Sequence, residues 1–303
     1  MINKLISQIL PHMPEKLVWQ FSKQYIAGKT TQQALDASLA LNRNNTLVTL
    51  DILGEFIENM DQAKDNRDQY IDLINTMEAT EVQGNYSIKP TMFGLLLDRQ
   101  TCSDYMRDIV SAAAAHGNFV RIDMENSPTV DDTIAIFRRI KAEFPKNVGL
   151  VLQAYLKRTR SDIESMLDLK SDDANLNFRL CKGIYVEPPS IAYQKYEEIN
   201  AHYLEDLELM FQNGIYPGIA THDKPLIEGA LNLIRKYDIP RDRYEFQMLY
   251  GVTPKQRQSL ADEGHKVRVY VPFGEHWFGY STRRLKENPA MVTHIVKALF
   301  AKG

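Results

Sequence analysis

Cysteine is scarce in this 303-residue chain: Cys102 and Cys181 are the only two. They allow at most one bridge and no disulfide scaffold, which favours a reducing compartment. Charge of one sign is lacking as well. The 36 Lys+Arg stand against 39 Asp+Glu, a net −3, and give no electrostatic reason to expect a nucleic-acid partner. No stretch supplies the ~20 mostly apolar residues of a membrane-spanning helix. The N-terminal residues MINKLISQILPHMPEKLVWQF are interrupted at Pro11 and carry no small-residue cleavage site, so no signal peptide is expected. An amphipathic helix is the expectation there, with Leu5, Ile6, Ile9 and Leu10 on one stripe. Attachment to a membrane surface is the sharper alternative, and the run from Val292 to Phe300 invites the same two readings.

Several cofactor signatures are missing. The chain has no GxGxxG and no GxxxxGK[ST], so neither a Rossmann dinucleotide site nor a P-loop is supported. It has no HExxH and no CxxC, and its seven histidines are scattered. Asp123 and Glu125 are the one carboxylate pair near a strand end, and capping or ion pairing outranks metal binding for them.

What is present is alternation. The first ~45 residues read as a helical arm, broken at Gly28–Thr31 with Thr30 or Thr31 as N-cap. Residues 46–303 then alternate short β-rich segments with longer helical ones. Eight strands are expected: Thr46–Ile52, Tyr86–Lys89, Phe119–Asp123, Val148–Ala154, Asn177–Cys181, Tyr216–Ala220, Tyr244–Met248 and Lys266–Tyr270. Several are nearly continuous in apolar residues, as parallel strands covered on both faces are. Helices are expected over Asp104–His116, Thr129–Phe144, Tyr193–Asn213 and Lys224–Tyr237, each stopped by a nearby glycine or proline. The pattern predicts an α/β protein, a (β/α)₈ TIM barrel with an N-terminal helical arm. A doubly wound open sheet is the alternative.

A barrel places its chemistry at the C-terminal ends of its strands. Those positions hold Lys89, Asp123, Gln153, Lys182, Thr221, His222, Gln247 and Tyr270. One polar turn residue at a strand end is ordinary; a repeated set of ionisable and amide side chains points to a ring facing a ligand. After the last strand, Pro272 and Gly274 make a turn, and a helix is expected over about Trp277–Glu287. On it Tyr280 lies three and four residues before Arg283 and Arg284, and Glu287 follows them at four and three, which puts these side chains on one face. Paired guanidiniums suit a carboxylate ligand. A solvated ion pair on a surface helix is the plainer reading of the same residues.

These residues belong to ordered motifs. Tyr280-x-x-Arg283-Arg284-x-x-Glu287-Asn288, Arg179-Leu-Cys-Lys-Gly-Ile-Tyr185, Ala220-Thr-His-Asp223, Glu245-Phe-Gln-Met-Leu-Tyr-Gly251 and Ser87-Ile-Lys-Pro90 resemble, from Thr46 to the C-terminus, the motifs of proline dehydrogenases, flavin enzymes that begin proline catabolism. The length resembles the monofunctional bacterial form. The resemblance implies a distorted (β/α)₈ barrel with FAD at the C-terminal strand ends, bound without a Rossmann fold. It implies that Lys89, Asp123, Tyr185, Tyr270, Tyr280, Arg283, Arg284 and Glu287 surround L-proline. It implies that Gln153, Arg179, Lys182, Gly183, Tyr185, Thr221, His222 and Gln247 hold or border the flavin. The implied reaction is oxidation of L-proline to Δ1-pyrroline-5-carboxylate by hydride transfer to flavin N5. Electrons would pass to a membrane quinone and the product to a separate pyrroline-5-carboxylate dehydrogenase. The expected location is cytoplasmic, with peripheral contact at the inner face of the membrane.

Three positions depart from the family pattern. Asp223 stands where many relatives have asparagine, Cys181 where valine is common, and Met92 where some have glutamine. Two competing readings stay open from the residues alone: a Schiff-base aldolase or lyase using Lys89 or Lys182 as nucleophile, and a carboxylate-binding barrel without turnover.

Overall fold

The computed structural model describes residues 18–19, 22–54, 57–171 and 174–281. The apolar stripe at Leu5–Leu10 and the run Val292–Phe300 lie outside the described residues.

Eight strands occur where eight are expected: β1 (Leu47–Ile52), β2 (Gly84–Ile88), β3 (Val120–Ile122), β4 (Val148–Gln153), β5 (Asn177–Cys181), β6 (Tyr216–Ala220), β7 (Glu245–Leu249) and β8 (Val267–Phe273). All neighbours pair in parallel. β8 returns to β1, with Leu47 opposite Arg268 and Ile52 opposite Phe273. The ring is therefore a closed barrel, and closure excludes the open doubly wound sheet.

The expectation of continuously apolar strands holds for only one face. Val48, Leu50, Tyr86, Ile88, Leu150, Phe178, Ile219, Phe246, Val267 and Val269 are buried in the hydrophobic core under the surrounding helices. The alternate positions face the barrel interior and carry Thr49, Asp51, Asn85, Ser87, Arg121, Gln153, Arg179, Glu245 and Gln247, all buried. Burying them is tolerable because most of their polar atoms are bonded to one another or to the backbone. Arg268 donates from Nε and Nη2 to the two Glu245 oxygens at 2.8 and 3.1 Å. Arg121 donates to the Asn177 carbonyl at 2.8 Å and to its Oδ1 at 2.7 Å.

The helices are α1 (Thr31–Asn42), α2 (Met60–Glu78), α3 (Arg99–Ala115), α4 (Val130–Glu143), α5 (Thr159–Ser165), α6 (Tyr196–Gln212), α7 (Lys224–Lys236) and α8 (Pro254–Asp262). Thr30 is the N-cap of α1 and forms a capping box with Gln33. α4 has Asp131 and Asp132 in its first turn and Lys141 in its last, the charge order that the helix dipole favours.

Two boundaries differ from expectation for visible reasons. α3 begins at Arg99 because Asp98 accepts from Thr101 N at 3.1 Å and caps it there. α6 begins only at Tyr196, because Tyr193 donates its N–H to the Tyr155 carbonyl at 2.8 Å and the preceding loop is tied to the exit of β4. α2, α5 and α8 were not expected as elements. α2 buries only Ala63, Tyr70, Leu73, Ile74 and Met77 of its length, and α8 only Leu260.

Candidate active site

A cavity of about 480 Å³ opens at the C-terminal ends of the strands. Lys89, Asp123, Gln153, Lys182, Thr221, His222, Gln247 and Tyr270 all line it, as do Arg179, Gly183, Tyr185 and Tyr280. Every strand-end residue named from sequence thus reaches one space. Arg283, Arg284 and Glu287 lie outside the described residues; the helical turn Trp277–Ser281, which begins where expected, leads toward them.

The floor of the cavity is one continuous polar network. Lys89 Nζ donates to Asp51 Oδ1 at 2.7 Å and to the Tyr270 hydroxyl at 3.1 Å. Tyr270 in turn donates to Asp123 Oδ2 at 2.9 Å. The other Asp123 oxygen accepts from Arg179 Nη1 at 2.9 Å and from the Ser87 hydroxyl at 2.6 Å. Arg179 Nε donates to Gln247 Oε1. Gln247 Nε2 donates to Glu245 Oε1 at 2.5 Å, which turns the amide oxygen toward the guanidinium. Six strands, β1, β2, β3, β5, β7 and β8, therefore contribute to one chain of charged and polar groups. Glu245 sits at its base, and although burial pushes its carboxyl up, Arg268 and Arg121 hold it down at about 2.

Asp51 has the most unusual environment of this network. It is fully buried, and its Oδ2 has no hydrogen-bond partner among the described residues. Burial raises its carboxyl to about 6; Lys89 opposes that rise, and the Asp123 charge adds to it. The Tyr270 phenol is pushed well above its ordinary range, first by burial and then by the Asp123 and Asp51 charges. Sequence reasoning missed Asp51. The signal available was a charged residue in the otherwise buried strand Leu47–Ile52.

The opposite wall is built differently. Lys182 pairs with Asp223, and its ammonium also lies 4.3 Å from the centre of the Tyr196 ring. Tyr196 donates to Asp223 Oδ1 at 2.9 Å, and Asn200 to Oδ2 at 3.4 Å. Three cationic and polar donors thus hold the Asp223 carboxyl below its usual value against a partial desolvation penalty. Its charge is paired with Lys182 at the cavity wall, which both residues line. Gly183 follows with φ +109°, and a methyl there would lie 2.1 Å from Tyr155 Cδ1, so only glycine lets this loop close over the wall. His222 Nε2 accepts from Leu249 N at 2.9 Å, which fixes the orientation of the ring at the cavity wall.

The other departures separate cleanly. Cys181 lines the cavity, and burial pushes its thiol up to about 11. Met92 does not line it; that side chain is buried beside Gly54. Asp123 and Glu125 diverge, for Glu125 accepts from Thr91 N at 2.9 Å and Thr91 Oγ1 at 2.6 Å.

Residues 34–297 match the family Proline dehydrogenase. The chain belongs to the proline dehydrogenase family. Proline dehydrogenase 1 of Bacillus subtilis strain 168 is 34% identical over 281 residues, covering 93% of this chain and 91% of that one. The proline dehydrogenase of Deinococcus radiodurans is 34% identical over 290 residues with the same two coverages. Among solved structures, the crystal structure of proline utilization A from Bdellovibrio bacteriovorus inactivated by N-propargylglycine matches with a TM-score of 0.82 at 26% identity. It covers 88% of this chain and 32% of that longer one. As a proline dehydrogenase family member, the chain is an oxidoreductase of proline catabolism.

Proposed function

We propose that the cavity holds FAD and oxidises L-proline to Δ1-pyrroline-5-carboxylate. The observation that carries this reading is the convergence of Lys89, Asp123, Arg179, Gln247 and Tyr270 from different strands on a single cavity wall. The donor set suits a flavin. Gln153 is anchored by its amide N–H groups to the carbonyls of Met124 and Glu125 at 3.0 and 2.9 Å, and its Oε1 is buried without a partner. Among the described residues that leaves a fixed acceptor for an imide N–H. Arg179, Lys182, Gly183, Tyr185, Thr221, His222 and Gln247 supply the other groups that would hold or border the cofactor, with Lys182 as a cation for its phosphates. Bound there, FAD supplies the acceptor for the hydride that leaves the ring carbon beside nitrogen.

The chain's own residues handle charge and position. Arg283 and Arg284 are assigned the substrate carboxylate, assisted by Lys89, with Glu287 completing the site. Tyr185, Tyr270 and Tyr280 wall the small ring. Nitrogen must lose a proton before its lone pair can assist hydride departure, and neighbouring cations disfavour the ammonium form. Asp123 holds Arg179 and Tyr270 in place from opposite oxygens, so the wall keeps its shape when the substrate charge changes.

The electron acceptor belongs to the same proposal: a membrane quinone, reached by peripheral contact through the ends of the chain. No helix among the described residues is long and apolar enough to cross a membrane. A separate pyrroline-5-carboxylate dehydrogenase would take the product. The test is the visible spectrum of the purified protein. Flavin bands that bleach on addition of L-proline support the reading, and colourless protein made with ample riboflavin overturns it. Borohydride trapping of substrate on Lys89 or Lys182 would favour the Schiff-base reading instead; both amines are engaged in ion pairs, at 2.7 Å to Asp51 for Lys89.

A further inference from the structure

The N-terminal segment carries no motif that the proposed chemistry uses, yet it lies across the catalytic end of the barrel. Ala27 N donates to the Pro272 carbonyl at 3.0 Å, and Gly274 N donates to the Gly28 carbonyl at 3.0 Å. Two backbone bonds thus pin the segment to the exit of β8, the strand that carries Tyr270. On the neighbouring side it passes so close to the loop after β7 that a methyl on Gly251 would sit 1.7 Å from the Gln24 carbonyl oxygen. Gly251, with φ +74°, is therefore required by the segment above it as well as by its own backbone.

Beyond those pins the segment meets the helical turn that bears Tyr280. The rings of Trp19 and Trp277 pack edge to face with centroids 4.8 Å apart. Lys29 Nζ lies 5.3 Å from the Trp19 ring centre and 5.5 Å from that of Trp277. One ammonium thus faces both indoles, a favourable arrangement because each ring presents electron density to the cation. Trp277 is buried, and its turn is closed by the Ser281 hydroxyl donating to the Trp277 carbonyl at 2.8 Å. Tyr280, one residue before that serine, lines the cavity.

We infer that the segment from Ser22 to Lys29, with Trp19, is a strap that positions the Tyr280 helix over the substrate, and that Lys29 between Trp19 and Trp277 is its latch. Trp19 and Lys29 are positioning residues: neither lines the cavity, and each acts through Trp277. The inference rests on the assignment of the Tyr280 helix to proline binding. It accounts for the contact between an arm without motif residues and the site.

The chain has only two tryptophans, and they are this pair, so intrinsic emission reads the latch directly. In the flavin-loaded enzyme, Lys29→Met and Trp19→Ala are expected to raise KM for L-proline roughly threefold to tenfold, with kcat, flavin content and Tm near those of the parent. In Trp19→Phe, where Trp277 is the sole reporter, emission is expected to change as cyclopentanecarboxylate, a ring acid that cannot be dehydrogenated at nitrogen, is titrated in. Unchanged KM in both variants overturns the strap, and so does a joint loss of Tm, flavin and kcat, which would mark the contact as one that only stabilises the fold. Tyr280→Ala, which removes the ring from the cavity wall, separates the two levels. If it raises KM while Lys29→Met does not, the strap alone fails. If it leaves KM unchanged, the substrate assignment of the helix fails and the strap with it.

Discussion

Tyr270 stands between a cation and an anion: its hydroxyl receives Lys89 Nζ at 3.1 Å and donates to Asp123 Oδ2 at 2.9 Å. Without it, Lys89 and Asp123 are 3.8 Å apart, too far for a good hydrogen bond. Tyr270→Phe should therefore keep the ring wall and lose the relay. The expected result is a fall in kcat/KM for proline of roughly tenfold with flavin content unchanged, measured by steady-state kinetics on the purified holoenzyme.

Asp51 gives the pH dependence its sign. Its carboxyl is raised to about 6, so it is ionised and paired with Lys89 at neutral pH and takes up a proton as pH falls through 6. The 2.7 Å ion pair between Lys89 and Asp51 is then lost. The kcat/KM profile should show an acid limb near pH 6, and Asp51→Asn should lower the plateau and flatten that limb.

Asp223 offsets the charge of Lys182 at the cavity wall. Asp223→Asn should free that ammonium for an anionic ligand and tighten FAD binding by roughly threefold to tenfold. Fluorescence titration of deflavinated protein with FAD measures it directly, and a weaker affinity would contradict the assignment.

Arg283→Met and Arg284→Met should each raise KM for proline sharply while leaving a folded flavoprotein. Loss of one charge-assisted contact costs on the order of 1.5–3 kcal/mol. Normal proline kinetics in both variants would end the carboxylate-clamp assignment.

Asp206 on α6 supplies a stability test away from the site. Burial raises its carboxyl to about 7, against a smaller opposing effect of Arg160. A folded value above the unfolded one means that its stabilising contribution is full below about pH 4 and is lost as pH rises through 7. Asp206→Asn should accordingly raise Tm at pH 8 by more than at pH 5, with a gain on the order of 1–3 kcal/mol at the higher pH.

The strands were legible because short runs rich in Val, Ile, Leu and Phe, set between longer helical stretches, leave a signal that survives short element length. The strand-end residues were legible because eight of them recur in order. Asp51 was not, for its meaning depends on Lys89, 38 residues away, and on closure of β8 against β1. The polar lumen was hidden for the same reason: Glu245 and Arg268 read as isolated charges until adjacent strands bring them within 2.8 Å. α2 and α8 escaped because most of their residues face water and the apolar stripe is thin. The strap escaped because Gly251 and Gln24 meet only in three dimensions.

The charged lumen restricts how such a chain can change over generations. Arg179 with Asp123, Arg268 with Glu245 and Lys89 with Asp51 are ion pairs whose members are buried or nearly so. Replacing one alone strands its partner in a medium where an unpaired charge is severely destabilising. Drift at these positions must therefore be concerted, with donor and acceptor exchanged together across adjacent strands. The apolar shell under the helices, by contrast, can drift one methylene at a time. The interior of this barrel should behave as one inherited unit, and the outer core as many.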